Sequence, residues 1–72
     1  MKKYRTDEQF HEIMDSTING NFTQAAKEAE EYGFYAADLC RKMEEFIDEY
    51  GDYWDNLVYV AEMAAERRYK NV

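Results

Sequence analysis

Apolar side chains recur along this chain in steps of three and four, the spacing of one face of an α-helix. Phe10, Ile13, Met14, Thr17 and Ile18 mark the first stretch. Ahead of it, Thr6-Asp-Glu-Gln9 has the form of a capping box, with Thr as N-cap, Gln three residues on and acids in the first turn. Asn19 and Gly20 supply a left-handed stop, so the pattern predicts a first helix from about Asp7 to Ile18.

A second helix starts at Asn21 or Thr23, either of which can cap free amides. Phe22, Ala25, Ala26, Ala29 and Tyr32 give it a narrow face of mostly small side chains that another helix can approach closely. Gly33 is read as its end, because Gly costs little just past a helix and about 1 kcal/mol inside one.

From Phe34 to Tyr50 the apolar stripe is Ala36, Leu39, Cys40, Met43, Phe46, Ile47 and Tyr50. Arg41, Lys42, Glu44, Glu45, Asp48 and Glu49 fall on the wet side. Gly51 closes this helix and Asp52 caps the last one, whose stripe is Tyr53, Trp54, Leu57, Val58, Ala61, Ala64 and Ala65. Arg67, Arg68 and Lys70 lie in its final turn, where cations suit the macrodipole. The β-branched run around Val58 and Val60 has helical flanks and no partner strand, so helix wins there too. The expectation is an all-α fold, one domain over residues 1–72. It is a small antiparallel bundle of four helices (three if Gly33 sits within a longer second helix), with Phe34–Tyr50 central.

Composition adjusts this picture in two ways. Ordering 72 residues costs roughly 1.5 kcal/mol each, and a chain that is 46% apolar comes close to break-even. Self-association, as a two-fold homodimer, is therefore expected, and the Ala25/Ala26/Ala29 face invites close helix approach without the sequence fixing which face pairs. A single Cys cannot form an internal disulfide, which favours a reducing cytoplasm. No apolar run approaches the 18 or so residues of a membrane span, and Met1 to Thr6 leads into no signal-peptide core.

Charge changes the picture more. The chain carries 16 acids against 9 bases, net −7, and the bases cluster at the ends: Lys2, Lys3 and Arg5, then Arg67, Arg68 and Lys70. Between them, all 16 acids face only Lys27, Arg41 and Lys42. Such a body repels nucleic acid and anionic membrane and attracts basic surfaces.

Chemistry is thinly supplied. Glu8 and His11 have the Glu-x-x-His spacing of carboxylate-bridged di-iron bundles, but such a site needs two of these pairs and two further Glu. A partly exposed histidine beside Phe10 is the simpler reading. Cys40 shares a stripe with Leu39 and Met43 and reads as a core residue. The acidic run from Asp48 to Asp55 lacks the alternating ligand order of a calcium loop, and no P-loop, dinucleotide fingerprint or zinc spacing is present. No enzyme activity, cofactor or metal is expected.

Gly20-Asn-Phe-Thr-Gln-Ala-Ala26, followed by the segment Gly33 to Met43, resembles the helix-turn-helix of Fis-type DNA-binding domains. The resemblance implies a reading helix over the Leu39–Met43 region and contact with duplex DNA. Here that helix carries Asp38, Glu44 and Glu45, and its approach helix Glu28, Glu30 and Glu31, all of which oppose phosphate. DNA binding therefore ranks as the alternative, with a structural adaptor role beside it.

The leading candidate is an acidic ridge: Glu44, Glu45, Asp48, Glu49, Asp52 and Asp55. Glu44–Asp48, Glu45–Glu49 and Asp48–Asp52 are like-charged pairs at i,i+4, each unfavourable by about 0.2–0.5 kcal/mol on an exposed helix, with only Arg41 beside Glu45 for relief. Retained repulsion of that kind points to a basic protein surface that neutralises it on binding. Tyr53 beside the ridge, and Tyr35, are the expected aromatic anchors. In size, charge and this ridge the chain is similar in style to phage-encoded inhibitors of the anti-CRISPR, antirestriction and nucleic-acid-mimic kind. That resemblance implies a non-enzymatic inhibitor occupying a nucleic-acid-binding site on its partner, without itself binding nucleic acid or membrane.

Overall fold

A computed structural model describes residues 5–70, so the sequence-predicted cations Lys2 and Lys3 lie outside the described residues. The elements are α1 (Asp7–Ile18), α2 (Phe22–Tyr32), α3 (Ala36–Glu45), the single-turn α4 (Ile47–Tyr50) and α5 (Trp54–Lys70), with a 3-10 turn over Gly51–Tyr53. Among the described residues there is no strand, and the architecture is the all-α antiparallel bundle expected from the stripes. No helix among them is long and apolar enough to cross a membrane.

Local hydrogen bonding explains the first two helices. Thr6 Oγ1 accepts from the Gln9 amide at 3.2 Å, and Gln9 Oε1 accepts from the Thr6 amide at 3.0 Å, completing the capping box. At the other end Gly20 is left-handed (φ 81°). The Asn21 and Gly20 amides return to the carbonyls of Ser16 and Thr17, a Schellman stop. Gly33 repeats the motif (φ 79°), with the Phe34 amide bound to the Ala29 carbonyl at 2.8 Å. Asn21 occupies the N-cap of α2 without a side-chain bond to it.

The predicted helix Phe34–Tyr50 is not one helix. Phe34 and Tyr35 precede it, and the helical backbone is interrupted at Phe46 (φ −113°, ψ 29°) and again at Tyr50 (φ −119°, ψ 6°). No Gly or Pro sits at either break. Both residues instead turn their rings into an aromatic cluster: Phe46 stacks on Phe10 at 5.9 Å, and Tyr50 meets Phe10 edge-on at the same distance. Gly51 is not a left-handed stop either, since its φ of −54° and ψ of −34° are right-handed helical. Asp52 falls inside the 3-10 turn rather than capping α5, which begins at Trp54.

The core runs through Phe10, Ile13, Met14, Ala25, Ala26, Ala29, Phe34, Leu39, Met43, Leu57, Val60 and Ala64. Thr17, its one buried polar side chain among the described residues, donates to the Ile13 carbonyl at 2.8 Å. The central element is α5 rather than the predicted Phe34–Tyr50 helix, for it packs against α1, α2 and α3. The small face of α2 (Ala25, Ala26, Ala29) is fully buried inside the monomer. The close approach it permits is used within the chain, so this face is not available for the expected homodimer.

Candidate functional site: the acidic α3–α5 junction and its groove

All six ridge carboxylates, Glu44, Glu45, Asp48, Glu49, Asp52 and Asp55, are exposed. The breaks at Phe46 and Tyr50 distribute them over α3, α4, the 3-10 turn and the start of α5. Consequently none of the pairs Glu44–Asp48, Glu45–Glu49 and Asp48–Asp52 lies within a single helix, and the repulsion expected for i,i+4 neighbours on one regular helix does not apply as predicted.

Neighbouring cations are engaged elsewhere. Arg41 pairs with Asp38 at 3.7 Å rather than with Glu45. Lys42 pairs with Asp7 of α1 and, at 3.7 Å, with Glu45. The Asp7 hydrogen bond raises the Lys42 pKa above its ordinary value, partly opposed by burial of the ammonium. Among the described residues no ion pair reaches Glu44, Asp48, Glu49, Asp52 or Asp55.

The two predicted anchors differ. Tyr53 is half-buried and packs against the core, at the edge of the ridge. Tyr35 is 58% exposed, but its ring is covered by the Arg68 guanidinium, 4.0 Å from the centroid. The structure therefore brings Tyr53 to the ridge and assigns Tyr35 to a different contact.

Three sets of contacts were not readable from the sequence: those of Arg68, that of Arg67, and the one between His11 and Tyr50. Arg68 Nη2 donates to the carbonyls of Ala29 (3.1 Å) and Phe34 (2.8 Å), so it satisfies the C-terminus of α2 rather than that of its own helix. Arg67 instead donates from Nε to the Glu30 carboxylate of α2, at 3.1 Å. His11 is half-buried, with Nδ1 2.6 Å from the Tyr50 hydroxyl and its ring edge-on to Phe46 at 4.9 Å. Burial, with Glu49 and Asp15 nearby, raises the Tyr50 pKa above its ordinary value. Glu8, its supposed metal-binding companion, is exposed.

Beside the ridge lies an open groove between α3 and α5, of about 210 Å³, whose lining is almost wholly apolar. Leu39 and Leu57 form its floor, and Cys40, Trp54, Val58 and Ala61 its sides. Cys40, predicted as core, is only half-buried here, and Val58 is 40% exposed.

Set against protein-family models, curated proteins and solved structures, the chain finds no match.

Proposed function

We propose that this chain is a non-enzymatic binding protein whose acidic α3–α5 junction engages a basic surface on a partner protein. The single observation that carries the reading is the set of five exposed carboxylates without a cationic partner among the described residues, Glu44, Asp48, Glu49, Asp52 and Asp55. Carboxylates in this density present to a cationic groove much what a phosphate backbone presents, so the natural target is a nucleic-acid-binding site. The mechanism is competition: the acids occupy phosphate positions while Tyr53 packs beside them. An inhibitor of the phage anti-defence type, acting in the cytoplasm, fits that chemistry.

The Fis-like alternative requires α3 to read DNA. Asp38, Glu44 and Glu45 line that helix, and its bases Arg41 and Lys42 are both held by carboxylates, which argues against it. An adaptor subunit would form complexes insensitive to salt.

The test is charge reversal of the ridge. A chain carrying Asp48→Lys, Glu49→Lys and Asp52→Lys together should fold with an unchanged helical circular dichroism spectrum. It should lose more than about tenfold in affinity for the partner that the parent retains from cell lysate at low salt. Equal retention by both chains, or a shift of duplex DNA by the parent in a gel, would overturn the reading.

A further inference from the structure

We propose that the α3/α5 groove is the seat of a basic amphipathic helix supplied by the partner protein. The proposal rests on the reading above, and adds to it the shape of what is bound. The groove has the dimensions of a helix site: its α5 wall runs from Trp54 to Ala65, ~16 Å at 1.5 Å per residue, or three turns. Its walls carry the small side chains Cys40, Ala61 and Ala65, which let a second backbone come close, above a floor of Leu39 and Leu57. An incoming helix would seat apolar residues at i, i+3/i+4 and i+7.

The charge of the occupant follows from the rims. Glu44 lies one turn beyond Cys40 on α3, Asp55 follows Trp54, and Glu62 lines the groove itself one turn beyond Val58. All three are exposed, and none has an ion-pair partner among the described residues. The cations that could have neutralised them are spent on other contacts: Arg41 on Asp38, Arg67 and Arg68 on α2, and Lys70 on Glu66. An apolar channel between anionic rims selects an apolar face flanked by Lys or Arg. A second copy of this chain is a poor occupant, because a two-fold contact would set these carboxylates against their own images.

The probe is a peptide of about 18 residues with Leu at the i, i+3, i+4, i+7 positions and Lys elsewhere, long enough to be helical once docked. One comparison peptide keeps the Leu positions and replaces Lys by Glu. The other is oligolysine of equal length. Binding to the full chain is followed by calorimetry and by the emission of Trp54, the chain's one tryptophan. The Leu/Lys peptide should bind with a blue shift, and both comparison peptides at least about tenfold more weakly. Val58→Lys, at an exposed wall position, and Ala61→Phe, which fills the channel, should each weaken the Leu/Lys peptide by about tenfold or more.

The proposal falls if oligolysine binds as well as the Leu/Lys peptide, if the Glu peptide matches it, or if Val58→Lys and Ala61→Phe both leave binding intact. It also falls if sedimentation finds a dimer of the parent that Val58→Lys dissolves, since a second copy would then fill the groove. The two readings separate cleanly. Loss of partner capture on ridge reversal but not with Val58→Lys keeps the ridge and removes the groove. The converse keeps the groove and removes the ridge.

Discussion

Along α5, Val60 and Ala64 are buried to within 1% of their surface, whereas Val58 and Ala65, two positions and one away, stay exposed at the groove shared with α3. The same helix, with the same kinds of side chain, closes against α1 and α2 and leaves a groove where it packs against α3. The difference lies in what faces it. The three buried alanines of α2 allow close packing. By contrast, α3 ends where Phe46 leaves the helix to join Phe10 and His11. Apolar character alone therefore does not tell whether a surface is core; the geometry of the facing element decides.

The comparison breaks most sharply at the aromatic cluster. Phe10→Ala should cost about 3–5 kcal/mol in urea unfolding, because Phe10 is fully buried against Phe34, Phe46 and Tyr50. Leu39→Ala, at the groove floor, should cost less, about 2–3 kcal/mol, since the open site already has room to relax. If Leu39→Ala proved the costlier, the groove side would be the true core.

A matched enlargement sharpens it further. Ala29→Leu should destabilise by about 1–3 kcal/mol through overpacking, while Ala65→Leu should fall within about 0.5 kcal/mol of the parent. Equal melting temperatures for the two variants would mean that both sides of α5 are equally tolerant.

Tyr50→Phe leaves the ring in place and removes the hydroxyl that meets His11, so it should cost about 1 kcal/mol at neutral pH. It should also change the response to alkali. Tyr50, Tyr32 and Lys42 all have pKa values raised in the fold: Tyr50 and Tyr32 first by burial, Lys42 first by its bond to Asp7. A raised value means that the folded chain holds its proton where the unfolded chain releases it. That stability is present below the ordinary values near 10 and is lost as pH rises through the folded ones. Melting followed from pH 8 to 11, about the range concerned, should show a steeper decline in the parent than in Tyr50→Phe.

The smallest effect has the opposite sign. Gly51 is right-handed helical, and an added Cβ would meet the Ile47 side chain at 3.4 Å, an ordinary contact. Gly51→Ala should raise stability by about 0.4–1 kcal/mol, read as a higher melting temperature, by restricting the unfolded chain. A loss instead would show that this turn needs the freedom of glycine.

Which parts were legible follows from the reach of the interactions. The limits of α1 and α2 were readable because capping and Schellman bonds join residues no more than five apart. The break at Phe46 was not, because Met43, Phe46, Ile47 and Tyr50 keep helical spacing across it and its cause, Phe10, lies on α1. Gly51 misled because a glycine permits a left-handed turn without requiring one. The exposure of the ridge acids was plain from their charge. The groove was hidden, since Val58, Ala61 and Ala65 occupy positions that read as core until one asks which element covers them.

The Arg68 contacts also bear on the order of events in folding. They join α5 to carbonyls 34 and 39 residues earlier in the chain, so they cannot form until the last helix has docked. Contacts made after the rate-limiting step leave the speed of folding almost untouched and act on the reverse rate. The signature of such a latch would be an Arg68→Ala chain that unfolds faster than the parent while folding at the parent's rate.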